Sequence, residues 1–366
     1  MNRAVVTCRS LDQIDFVPTV IVGFYQSEKK KIFSHHCAEL QARFPQAEIF
    51  GCSSTSNLYD DSPHVDTDGS HLCVFSCMDM DPQAYTLQRI STELPGELEI
   101  DTKKRYRAII LSSSYFDGME THLKTLQHTL GTHSLYGGIA GAASDSKSAS
   151  GDVYYRGAYW QESMLVWLID QKKYRLSGIA THYFQPVGFE MEITAARGNT
   201  IHEIENRPAL EVAEEIIGTL SPESIASFEH PFFLKQEDGI RFSEAPLCSV
   251  RGVNREQKSI DVYRNVAVHD TLKVGISLDR KAQKSQLNVF KRYKKSQAVA
   301  FVFNCVGIKE NLGTMETLYL MHLKQSLRIP FVGFHTFGEI GPTHTHSSSV
   351  LHNQTIALAV LSERGV

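Results

Sequence analysis

The chain has 366 residues, with 37 Lys and Arg against 41 Asp and Glu, for a formal net charge of −4; that length suits two domains whose cores need neither disulfides nor structural metal. The near balance of charge, with basic runs at 29–31 and 291–295, argues against a nucleic-acid groove, which needs repeated basic and aromatic stripes. No signal-peptide pattern opens the sequence and no apolar run nears the roughly 20 residues that span a bilayer, so a cytoplasmic protein without membrane segments is expected.

In chain order, 19–24 reads as a buried strand, and a helix follows over 31–44 with Phe33, Cys37, Leu40 and Phe44 on one face. A second strand ends in Ile49-Phe50-Gly51-Cys52-Ser53-Ser54, and after an Asp-rich loop 72–75 makes a third. The order then recurs. Residues 108–111 form a strand, 119–130 a helix with Leu123, Leu126 and Leu130 aligned, 136–141 a glycine-rich strand end, and 164–169 the closing strand. A β-rich stretch over 174–196, a helix over 208–220 and further strands to 276 intervene. The third copy has its strand at 298–303, its helix over 312–327, a second strand at 330–334, a loop over 338–342 and a last strand at 355–361.

Three units of one order define a repeat. A strand, helix and strand at this spacing make a right-handed crossover with parallel strands, so the fold class is mixed α/β: two domains of repeated β-α-β-loop-β units, dividing near residue 200. Each unit carries glycine just past its second strand, at Gly51, at Gly137 to Gly141, and at Gly333 to Gly341. Ligands settle outside the carboxyl ends of such strands. Glycine there either lets a backbone approach a ligand or allows close packing at a sheet corner; one loop leaves both open, and three equivalent loops favour a site. The seven cysteines, with no Cys-x-x-Cys pair, read as free thiols.

The segment from Val332 to Pro342, reading Val-Gly-Phe-His-Thr-Phe-Gly-Glu-Ile-Gly-Pro, followed by Leu351-His352-Asn353-Gln354-Thr355, resembles the hallmark of the FIST family of sensory domains in signalling proteins, also seen in F-box proteins. Ile49-Phe50-Gly51-Cys52-Ser53, Gly137-Gly138-Ile139-Ala140-Gly141, Arg197-Gly198-Asn199 and the run 208–212 extend the resemblance along the chain. It implies a FIST N-type α/β domain over 1–200 and a FIST C-type domain over 201–366. It also implies a small-molecule sensor that reports to a signalling partner and carries no catalytic residues. Amino-acid-like ligands are one implied class. One branch resembles haem proteins that sense nitric oxide and regulate a histidine kinase or a cyclic-di-GMP enzyme, in which case His352, His335 or His182 would be the axial ligand. Signalling proteins of this kind suggest a homodimer. The chain departs from bacterial relatives at Ser54-Thr55-Ser56-Asn57 and in the polar loop 343–349.

The expected ligand-binding set is Gly51, Cys52, Gly137, Gly138, Gly141, Gly338, Glu339, Asn353 and Gln354. One carboxylate beside two amides is the chemistry of an amino-acid pocket. His344 and His346 lie two apart, able to face one metal ion, although a polar surface loop explains them better. His35 and His36 open a helix, where successive side chains fan apart. The sequence holds no Gly-x-Ser-x-Gly elbow, phosphate-binding loop or Rossmann fingerprint. A ligand-free protein scaffold is the remaining alternative.

Overall fold

A computed structural model describes residues 1–59, 73–91, 98–116, 118–141, 151–227, 230–236, 241–278, 280–293, 297–343 and 348–364; the pair His344 and His346 lies outside them. Strand pairing reproduces the repeat three times. Val20–Gln26 runs parallel to Glu48–Ser54, Tyr106–Ser112 to Leu135–Ile139, and Ala298–Cys305 to Phe331–Thr336. In every unit the closing strand returns antiparallel against the first: Cys73–Met78, Ser163–Asp170 and Ile356–Glu363. The crossover helices are Lys30–Arg43 and Met119–Leu130, and in the third unit Val306–Leu312 with Glu316–Leu327. The helix expected over 312–327 is Glu316–Leu327, and a further short helix, Val306–Leu312, precedes it. The break falls at Gly313, whose φ of +50° ends the first helix in a conformation that glycine adopts without strain. Likewise Ala209–Ile217 stops at Gly218, with φ +83°.

Strands from both sides of residue 200 share sheets. The short strand Asn57–Tyr59 extends the third unit's sheet beside Phe331–Thr336, and Tyr174–Thr181 closes its other edge against Ile356–Glu363. In return, Glu339–Pro342 joins the second unit's sheet beside Leu135–Ile139, with Ser349–His352 outside it. A fourth, antiparallel sheet built around Phe184–Arg197 and Thr271–Ser277 carries its own core of Ile193, Ile201, Ile260 and Leu272. The three unit sheets meet in one apolar cluster. Trp167 stands between Phe50 and Phe301, with ring centroids 5.4 and 5.8 Å away, and Phe24 meets Phe334 at 4.9 Å. Such edge-on and tilted pairs add to the area term that already favours burying large rings.

The repeat explains three glycines at once. A Cβ on Gly51, Gly137 or Gly333 would lie 1.8, 1.9 or 1.8 Å from the carbonyl oxygen of Gly23, Ile110 or Val302 on the paired strand. Only hydrogen fits at this equivalent place in each unit. The loops beyond these strands then interlock: His335 N donates to Ser56 O (3.0 Å), Phe337 N to Ile139 O (3.0 Å) and Gly141 N to Ser53 O (3.4 Å). The carboxyl ends of all three parallel pairs thus converge.

Candidate functional site

At the carboxyl ends of the third unit's strands lies a buried polar centre. Glu339 opens a strand paired with His352 and is fully buried. Its Oε1 accepts from the Thr336 hydroxyl, and its Oε2 accepts from Thr355 N (3.3 Å) and Thr355 Oγ1 (2.9 Å). Loss of water outweighs these donors and pushes the carboxyl up to about 8, so it is mostly protonated at neutral pH. The Cys305 thiol also hydrogen-bonds this carboxyl, and its Sγ accepts from Gln354 N at 3.2 Å. Gln354 sits in the left-handed region at φ +55°. Its amide fills the space over Gly307, where a Cβ would come within 2.6 Å of Nε2.

The neighbouring strands carry buried polar atoms without a partner among the described residues. His352 is fully buried, and its Nε2–H donates to Gly341 O at 2.9 Å. That fixes the tautomer, leaving a lone pair on Nδ1 with nothing to accept from. Burial drives its pKa down to about 3, so the ring is neutral. Asn353 Oδ1 is unpaired, and so are both Nδ2 and Oδ1 of Asn304, a fully buried residue near the end of strand Ala298–Cys305. Each such atom costs about 1–3 kcal/mol when water is excluded and nothing replaces it. Arg264, beyond the fourth sheet's strand Ser259–Val262, donates to Leu351 O and, at 3.1 Å, to Gln236 Oε1. The centre is thereby tied to the fourth sheet.

The expected site residues divide into two groups. Glu339, His352, Asn353 and Gln354 fall together. Gly51, Cys52, Gly137, Gly138, Gly141 and Gly338 instead serve packing: a Cβ would lie 2.6 Å from Thr336 Cγ2 at Gly138, 2.2 Å from the Phe337 ring at Gly141 and 2.9 Å from Ile139 at Gly338. Cys52 points into the shared apolar core, where burial raises its thiol far above the usual range.

The histidines do not suit an axial haem ligand. His182 accepts from Phe184 N through Nδ1 (3.3 Å), which places its proton on Nε2, and burial against Phe233 lowers its pKa to about 4. His335 uses both nitrogens, Nδ1 toward Ser56 Oγ at 2.6 Å and Nε2 toward Glu316. His352 keeps one lone pair, on an atom sealed from solvent. No donor of the three presents a lone pair to open space.

Sequence reasoning missed a second buried chain. Lys309 Nζ donates to Ser56 Oγ (3.1 Å), Ser56 meets His335 Nδ1, and His335 Nε2 meets the buried Glu316. It fastens the turn after the first unit's second strand to the third unit. Ser56 and His335 are 279 residues apart, so no local pattern could show the link.

Three β-α-β-β units interlocked through their carboxyl ends, with a buried polar centre beside a fourth sheet, make up a repeat-built α/β architecture. A FIST N domain model matches residues 20–207 and a FIST C domain model matches 209–342. The chain belongs to the FIST family, whose domains are sensory modules of signalling proteins. The FIST C match ends before His352, Asn353 and Gln354, which the fold nevertheless pairs with Glu339 and Cys305 inside it. A search of curated proteins finds no match. Among the described residues no helix is long and apolar enough to cross a membrane.

Proposed function

We propose that this chain senses a small metabolite of amino-acid type through its buried, unpaired polar groups at Asn304, His352 and Asn353, and reports its occupancy to a signalling partner. The observation that carries the reading is the set of buried, unpaired atoms: three acceptors, Asn304 Oδ1, His352 Nδ1 and Asn353 Oδ1, and one donor, Asn304 Nδ2. N–H groups of a ligand suit the acceptors, and a carbonyl or carboxylate oxygen suits the amide donor. The neutral states of Glu339 and His352 favour an uncharged or zwitterionic ligand over a free ion. Arg264 gives a route outward, because a shift of strand Ser349–His352 on binding pulls on the fourth sheet through Leu351. The partner is of the histidine-kinase or cyclic-di-GMP-enzyme type suggested by the resemblance. Thermal unfolding with each amino acid and its amide tests the reading: at a hundredfold excess over Kd, a true ligand stabilises by about 2.7 kcal/mol. A flat response across the whole set removes it.

One observation favours a second reading, a serine hydrolase. Ser56 is polarised by Lys309 on one side and the His335–Glu316 pair on the other, the arrangement of a nucleophile with its base. A fluorophosphonate reagent decides between them. Labelling of Ser56 supports hydrolysis, and absence of labelling leaves the chain as a structural fastening.

A further inference from the structure

Basic side chains elsewhere in this protein commonly stand against acids. Lys30 meets Asp152, Lys173 meets Asp81, Arg207 meets Glu215, Arg255 meets Glu214 and Lys258 meets Glu211. One place breaks this habit. Between the second and third sheets, at the amino ends of their parallel strands, a cleft of about 540 Å³ is lined by four arginines, Arg105, Arg107, Arg175 and Arg364, and three lysines. Among the described residues its only acid is Asp170, which is buried and receives Lys172 N through Oδ1 at 2.8 Å. Seven cations against one carboxylate stand here in a chain whose overall charge is −4. None of the seven is ion-paired among the described residues.

The fold gathers these groups from three distant segments. Arg105 and Arg107 flank the start of strand Tyr106–Ser112, and Lys172 lies in the turn between Ser163–Asp170 and Tyr174–Thr181. Arg175 follows on that last strand, and Arg364 comes just after Ile356–Glu363, its N–H held by Lys173 O at 2.9 Å. Arg107 is anchored from behind, its Nη1 donating to Leu176 O at 2.7 Å and to the Tyr136 hydroxyl at 3.4 Å. Like charges drawn together in a concavity focus the field and raise the local concentration of anions.

We infer that this cleft binds a compact polyphosphate, a di- or triphosphate group. Guanidinium forks match phosphate oxygens two at a time, and four of them converge here. The volume lies within the range of small-ligand sites. No aliphatic or aromatic side chain lines the cleft, which disfavours a protein partner, since protein interfaces need an apolar centre. The same absence leaves a nucleobase nothing to stack on, so recognition is of the phosphates themselves. The site lies at the opposite strand ends from the Glu339 centre, roughly 20 Å along a strand of seven residues. It stands independently of the amino-acid reading.

Titration calorimetry at low salt with inorganic pyrophosphate and tripolyphosphate tests the inference, with a ten-residue glutamate peptide as comparison. Wild type should bind one tripolyphosphate per chain, weakening as salt is added. The exposed pair Arg105→Ala/Arg175→Ala should weaken binding at least about tenfold, and Lys172→Ala/Arg364→Ala should do likewise. Lys258→Ala, whose lysine pairs with Glu211, should change nothing. Urea midpoints equal to wild type establish that the variants fold. Absence of saturable phosphate binding, wild-type affinity in both double variants, or tighter binding of the acidic peptide than of tripolyphosphate would each overturn the proposal.

Discussion

The carboxyl of Glu339 gives the fold a pH dependence that one substitution removes. Its folded pKa of about 8 stands above its ordinary value of 4.5 because burial penalises the charged form. Between those values the native chain holds a proton that the unfolded chain releases. The stabilisation is therefore fully present below pH 4.5 and is lost as pH rises through 8. Linkage gives about 2 kcal/mol of lost stability between pH 6 and pH 8 from this residue alone. Glu339→Gln keeps a neutral group of the same shape. Its oxygen can take Thr355 N and its amide can donate to Thr336 Oγ1, where the carboxyl oxygens now sit. Urea unfolding followed by tryptophan fluorescence should show wild type weakening between pH 6 and 8 and the variant holding nearly constant. The two curves should lie close at pH 6 and separate by about 2 kcal/mol at pH 8. Equal slopes in the two proteins would refute the argument.

Further expectations follow the same chemistry. His352 and His182, held neutral with pKa values of about 3 and 4, should make wild type lose stability as pH falls below 6.5, and His352→Gln should reduce that slope when measured by urea midpoints. His335→Ala strands the buried Glu316 and should cost about 3–5 kcal/mol of unfolding free energy. Cys8 is half-buried, and a hydrogen bond from Cys73 is the main influence lowering its thiol to about 6. Iodoacetamide at neutral pH should alkylate Cys8 before Cys37, Cys77 or Cys248, whose burial raises them to about 12; peptide mass mapping reads the order. Gly51→Ala drives a Cβ into the Gly23 carbonyl and should abolish soluble, cooperatively unfolding protein, whereas Gly141→Ala displaces the partly exposed Phe337 ring and should be milder.

Much of the fold is legible because each unit repeats a strand period, a helix period and a glycine in one order. The glycines mark the close approach of paired backbones, so they announce the unit faithfully while saying little about a ligand. What sequence alone hides is the exchange between units. The three-residue strand Asn57–Tyr59 carries too weak a periodic signal to reveal its pairing with Phe331–Thr336. The centre is half legible. Glu339, Asn353 and Gln354 stand out as polar residues in a glycine-rich motif. Asn304 gives a subtler sign, an amide ending the otherwise apolar run 298–303, and its lack of partners appears only once the neighbouring elements are placed. Ser56 with Glu316, and Arg105 with Arg364, are joined by tertiary folding across hundreds of residues.

The central claim, that the buried unpaired atoms exist for a ligand, is tested most directly by Asn304→Leu. Leucine matches the shape and leaves no polar atom unsatisfied, so the account predicts a variant more stable than wild type by about 1–3 kcal/mol. It also predicts that the variant loses the thermal response to the amino-acid-type ligand that stabilises wild type. A variant that is less stable, or one that keeps the full response, would contradict it.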